Sequence, residues 1–134
     1  MQITAKTSDE FKIQFKQLLE SPMYSKDIGI IYYLTTSNPI PRVLGESSII
    51  YIGKSEKSYK SRYSNSKSFN IEVSYFENIY KKIIEVYGPI TVEIKKVENP
   101  KHEEWRALEN YYRTHLEHPP INRSIPSKPE DIKE

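Results

Sequence analysis

The sequence predicts an α+β domain: a small three-stranded antiparallel sheet flanked by helices. Three observations lead there. Two β-rich, tyrosine-bearing runs, "GIIYYL" (29–34) and "IIYIGKS" (49–55), are joined later by an alternating run, "ITVEIKKV" (90–97). Segments with apolar residues at helical spacing precede, separate and follow them. No repeat or internal linker divides the 134 residues, a length that suits one core.

The first helix is predicted in "TSDEFKIQFKQLLESP". Thr7 and Glu10 have the spacing of a capping box, Phe11, Phe15, Leu18 and Leu19 share one face, and Ser21-Pro22 stops the run. Ile28 to Thr35 and Ile49 to Ile52 read as strands. The intervening "TSNPIPRVLGESS", with two prolines and a glycine, reads as a long hairpin loop spanning 36–48. A short helix is expected from Lys57 to Tyr63.

"YFENIYKKIIEVYG" carries Phe76, Ile79, Tyr80, Ile83, Ile84 and Tyr87 as a helical stripe, with Gly88 as its stop. Ile90, Val92 and Ile94 alternate on a third strand. Asn99 is placed to cap the next helix with Pro100 at its first position. That helix is expected to bury Trp105, Leu108 and Tyr112 and to end at Pro119-Pro120. These elements form a single domain over residues 1–125, with 126–134 as a polar, frayed tail.

The absence of cysteine excludes disulfides, thiol catalysis and cysteine-bound zinc. "MQITAKTSDEFK" has no hydrophobic signal core, and no apolar run approaches a membrane span, so a cytoplasmic protein without membrane association is expected. Net charge is only +2, but its distribution is uneven. Lys54, Lys57, Lys60, Arg62 and Lys67 lie between Tyr51 and Lys67, opposed only by Glu56, and Tyr51, Tyr59 and Tyr63 are interleaved with them. This pattern fits either a polyanion-facing surface or an ordinary solvated helix face.

Five features belong together: Tyr32 on the first strand run; Tyr51 with Gly53-Lys54 on the second; Arg62 eleven residues on; Glu109 in "LENYY"; and Asn122 in "PPIN". In these residues and their order, across Ile28 to Asn122, the sequence resembles the GIY-YIG nuclease family. That resemblance implies a metal-dependent endonuclease that hydrolyses phosphodiester bonds in DNA with magnesium or manganese. It implies a site formed by Tyr32, Tyr51, Lys54, Arg62, Glu109 and Asn122, with Glu109 holding the metal. Lys54, Lys57, Lys60 and Arg62 are the expected DNA contacts. One departure stands out: Gly29 is followed by two isoleucines before Tyr32. Tyr32 is aligned as the first motif tyrosine, with Tyr33 as the alternative; a one-residue slip would put the phenol on the other face of the sheet.

The chemistry is coherent on general grounds. Phosphodiester hydrolysis needs a positioned water and charge stabilisation around phosphorus. Magnesium accepts one protein carboxylate and several waters, which suits Glu109. The planar fork of Arg62 suits a phosphate oxygen, and Lys54 adds a point charge. Tyr32 or Tyr51 is expected to accept a proton once a neighbouring cation lowers its pKa from the reference of ~10. Asn122, uncharged, would orient other groups.

Plainer readings stand beside these. Strand tyrosines often only pack. Glu109 has Arg113 four residues on and Arg106 three before, spacings that make helix ion pairs. Asn122 suits a turn. His115 and His118 have no evident third partner for zinc. The alternative function is a catalytically inactive nucleic-acid-binding module on the same fold; a protein-interaction domain displaying its tyrosines is a third. DNA specificity through the loop, a homodimer or a targeting protein partner is equally compatible with the sequence.

Overall fold

The computed structural model describes residues 2–19, 29–55, 77–122 and 125–132. In chain order the elements are β1 (Gln2–Ala5), α1 (Ser8–Leu19), β2 (Ile30–Pro41), β3 (Glu46–Ser55), α2 (Glu77–Tyr87), β4 (Ile90–Lys96) and α3 (Pro100–His115). The three expected strands are neighbours in an antiparallel sheet, β4-β2-β3, and β1 adds a fourth at the β4 edge. That N-terminal strand was not among the sequence expectations. It is a four-residue run whose pairing with β4 comes from the far end of the chain. The short helix expected over 57–63, together with Phe76, lies outside the described residues, as do the side chains of Phe15, Leu18 and Leu19.

Burial follows the alternation of the strands and divides the core in two. Ile30, Tyr32 and Leu34 pack on one face with Val92 and Ile94, beneath Phe11 of α1 and Tyr80 and Ile83 of α2. The rings of Phe11 and Tyr80 lie 4.7 Å apart. Ile31 and Ile52 pack on the other face against Leu108 of α3, with Tyr33, Ile49 and Ala107 at the margin. The sheet therefore lies between two helical layers.

Local signals set the helix ends. The Thr7 hydroxyl accepts from the Glu10 N–H at 3.0 Å, and Glu10 reaches back to the Lys6 N–H at 2.8 Å, one residue earlier than a strict capping box would have it. Asn99 accepts from the His102 N–H and Pro100 opens α3. Gly88, at φ 88°, donates to the Ile84 carbonyl and ends α2 in the left-handed region that glycine enters without penalty. α3 ends earlier than the double proline suggested. Leu116, at φ 61°, caps it by donating to the Tyr112 carbonyl.

Four expectations need correction. The segment 36–48 is not a long loop: β2 and β3 continue through most of it to a four-residue turn at 42–45. Its prolines are tolerated because β4 stops pairing with β2 at Thr36, so Pro39 and Pro41 lie where β2 has only β3 beside it. In α3 the buried tyrosine is Tyr111, three residues after Leu108, and Tyr112 is 45% exposed. Ile79, expected in the buried stripe of α2, is also exposed. Finally, the C-terminal segment is packed rather than frayed. Pro129 and Ile132 are buried, Asp131 meets His102 at 2.8 Å, and the Lys128 ammonium lies 5.8 Å from the Trp105 ring centre.

Candidate active site

The β2–β3 ladder sets the tyrosine register. Tyr32 stands opposite Gly53 and Leu34 opposite Tyr51, which puts both phenols on the face covered by α1 and α2. Tyr33 points to the α3 side. The two rings meet at 5.7 Å between centres, inclined by 48°. Tyr32, rather than Tyr33, is therefore the tyrosine beside Tyr51.

Gly53 makes this possible by close approach. A Cβ there would overlap Cζ and the hydroxyl of Tyr32 and stand 2.8 Å from its Cε2. The phenol of Tyr32 thus lies across the glycine of the partner strand. A β-bulge sits one step away: Leu34 pairs with Tyr51 and Thr35 with Ile49, leaving Ile50 as the extra residue. Ile50 and Tyr51 consequently both pack with the Tyr32 face, while Ile49 packs with the other. The bulge fixes which way Tyr51 points.

Asn122 holds the strand from outside. Its Oδ1 accepts from the Ile52 N–H at 3.0 Å and its Nδ2 donates to the Ile52 carbonyl at 2.9 Å. The Ile121 N–H donates to the Ile50 carbonyl at 2.9 Å. Since β3 is an edge strand, these bonds occupy backbone groups that would otherwise face solvent on both sides of Tyr51. A side-chain amide, donor and acceptor in one plane, is the group that can serve both partners of one residue.

The remaining expected site residues are placed differently. Lys54 pairs across the ladder with Ile31, so it points to the α3 side of the sheet, away from the two phenols. Of the six residues expected to form the site, Lys54 is thus on the face opposite the two phenols. The cause is the pleat: three residues beyond Tyr51 the side chain has alternated to the opposite face. Glu109 is on α3, next to buried Leu108, and its Oε1 accepts from Arg113 Nε at 3.1 Å. Among the described residues its contact is thus to its own helix, at the i+4 spacing, and not to either phenol. Arg62, Lys57 and Lys60 lie outside the described residues.

Burial pushes the Tyr33 phenol above its ordinary pKa, Glu103 and Glu93 push the same way, and Lys95 opposes them from 5.6 Å above the ring. A phenol held protonated is a poor proton acceptor. Among the described residues there is no group of three or more histidines or carboxylates able to hold a metal. A magnesium ion held by one carboxylate and several waters, the arrangement in which Glu109 was expected to serve, does not need such a group.

Sequence reasoning missed two features near this site. One is the bulge, which needs the cross-strand register to be known. The other is the docking of the hairpin turn onto the end of α3. Arg42 forms an ion pair with Glu117 and donates to the His118 carbonyl at 2.8 Å, and the Leu44 N–H donates to the His115 carbonyl. His115 Nδ1 in turn meets the Leu44 carbonyl at 3.0 Å. A basic residue against the carbonyl end of a helix is the available signal, but only the fold brings them together.

No family model, curated protein or solved structure matches the chain. Among the described residues no helix is long and apolar enough to cross a membrane.

Proposed function

We propose that the protein is a metal-dependent endonuclease that hydrolyses phosphodiester bonds in DNA, as the resemblance to GIY-YIG nucleases implies. The observation that carries this reading is the linked unit of Tyr32, Tyr51, Gly53 and Asn122. Three separated segments supply it, and each contact has a specific geometric requirement. Packing alone needs neither a glycine beneath one phenol nor an amide bracing the strand of the other.

Within this reading the two phenols have different tasks. Tyr51 is half-buried and so reaches the surface, whereas Tyr32 is 1% exposed. Tyr51 is the group that meets the attacking water or a phosphate oxygen, and Tyr32 fixes its orientation. Asn122 holds the strand that carries Tyr51. Glu109 would hold the divalent cation, which when bound supplies charge stabilisation around phosphorus. For that its carboxylate must exchange Arg113 for the metal, an inexpensive change for an exposed i,i+4 pair. Arg62 would hold a phosphate oxygen.

The test is incubation of duplex, single-stranded and branched DNA with magnesium, manganese or chelator. Metal-dependent cleavage is expected, and Glu109→Gln should abolish it while DNA binding stays intact or tightens, because a carboxylate without its metal repels phosphate. A Glu109→Gln protein that cuts at the wild-type rate would eliminate the one-metal site. The second reading, an inactive nucleic-acid-binding module, is favoured by the Glu109–Arg113 pair. Wild-type protein that binds DNA but cuts none of these substrates with either metal would establish that alternative.

A further inference from the structure

The strand that carries Tyr51 is held on one side by the β2 ladder and on the other by a turn that follows α3. Pro119, Pro120, Ile121 and Asn122 form that turn, closed by the Asn122 N–H donating to the Pro119 carbonyl at 3.1 Å. Proline at its second position arrives with φ preset, so ordering the turn removes little conformational freedom. The Ile121 N–H takes no part in this closure and donates instead to the Ile50 carbonyl at 2.9 Å. The Ile121 side chain is 2% exposed and packs in the same cluster as Tyr32 and Ile50, with Tyr51 against it.

Ile50 is where the register of the edge strand is least determined. It is the extra residue of the bulge, with no counterpart in the β2–β3 ladder. A bulge displaced one step toward Gly53 would make Tyr51 itself the extra residue, and its phenol would lose the register that sets it beside Tyr32. The turn opposes that step from both flanks. Ile121 fixes the carbonyl of Ile50, and the Asn122 amide takes the N–H and the carbonyl of Ile52. A cover for an edge strand needs only to hide its backbone. This one bonds the two residues on either side of Tyr51 and makes one of its bonds at the bulge.

We infer that Ile121 is a positioning residue of the candidate site: its main-chain N–H locks the bulge at Ile50 and so keeps Tyr51 turned toward Tyr32. The inference rests on the nuclease reading only for its effect on cleavage. The effect on the tyrosine pair stands apart from that reading.

The experiment replaces the Pro120–Ile121 amide by an ester, through semisynthesis with the hydroxy-acid analogue of isoleucine, which removes the N–H and leaves the side chain. The folded ester variant should lose the nuclear Overhauser contacts between the Tyr32 and Tyr51 rings, whose centres lie 5.7 Å apart. Its kcat on DNA should fall by on the order of a hundredfold with KM little changed, the effect of a misplaced group rather than of weaker binding. Ile121→Val, which keeps the N–H, should retain both the ring contacts and the rate; losing them too would assign the effect to packing and overturn the role of the N–H. An ester variant that keeps the ring contacts, or loses them and still cuts at the wild-type rate, overturns the proposal. Wild-type protein that cuts no DNA overturns the nuclease reading instead, and the ring contacts alone then decide whether Ile121 holds Tyr51. Hydrogen exchange on the wild-type protein gives a test that does not depend on the ester variant folding. The Ile121 N–H should exchange as slowly as the amides of the β2–β3 ladder, and exchange as fast as that of an exposed loop overturns the lock.

Discussion

The phenols of Tyr32 and Tyr51 touch the same small volume but differ in what they can reach. If Tyr51 meets substrate and Tyr32 orients it, Tyr51→Phe should remove nearly all turnover with KM little changed. Tyr32→Phe should lower kcat by a smaller factor, and steady-state cleavage kinetics of the two variants make the comparison; equal losses would give the phenols equal roles. Gly53→Ala tests the geometry without any assay of function. The added methyl would displace the Tyr32 ring, and overpacking of this kind costs about 1–3 kcal/mol, measurable as a lowered urea midpoint. The pair was legible through the resemblance, which aligned Tyr32, and strand alternation then sent Tyr33 to the other face. The bulge that turns Tyr51 toward Tyr32 was not legible, because it depends on the cross-strand register. Lys54 was not, since "GKS" reads as a strand end while the pleat carries it on to the opposite face. Glu109 sits between these cases: its residue type and helix were legible, whereas its pairing with Arg113 rather than with the phenols is a matter of side-chain geometry.

At the scale of elements, the helices followed their signals closely because caps and stops are local chemistry. Thr7, Gly88, Asn99 and Pro100 all act where their residue types place them. The hairpin did not, since whether Pro39 and Pro41 break a strand depends on how many neighbours that part of the strand has, which is a property of the sheet. The end of α3 is the other departure. Leu116 adopts a left-handed conformation with a branched, half-exposed side chain, which costs roughly 1–2 kcal/mol relative to glycine. Leu116→Gly is therefore expected to stabilise the protein by about 0.5–1 kcal/mol, the gain being trimmed by the freedom glycine adds to the unfolded chain. Thermal unfolding would show it, and a destabilised variant would mean that the Leu116 side chain is packed against something that outweighs its strain.

Over the whole molecule, the C-terminal segment and the N-terminal strand close the fold from two sides. The hydrogen bond from His102 holds the Asp131 carboxyl below its ordinary pKa of 3.8, with Lys101 acting in the same direction. A depressed carboxyl pKa stabilises the docked state above that ordinary value, and the contribution disappears as pH falls through the lowered one. Acidification below about pH 4 should therefore release the segment from α3 before the core unfolds. Trp105 fluorescence, sensitive to the Lys128 ammonium above its ring, reports the release. Asp131→Asn should remove that early acid transition; an identical profile would place its origin elsewhere. At the other terminus, β1 pairs with β4 while β2 and β3 are consecutive in the chain. During synthesis the hairpin has both its strands at once, but the first residues must wait for β4 to emerge. Until they dock, one whole side of β4 offers its amides and carbonyls to any passing chain. The fold thus has a moment of vulnerability written into its strand order, and the speed with which four N-terminal residues return decides how long it lasts.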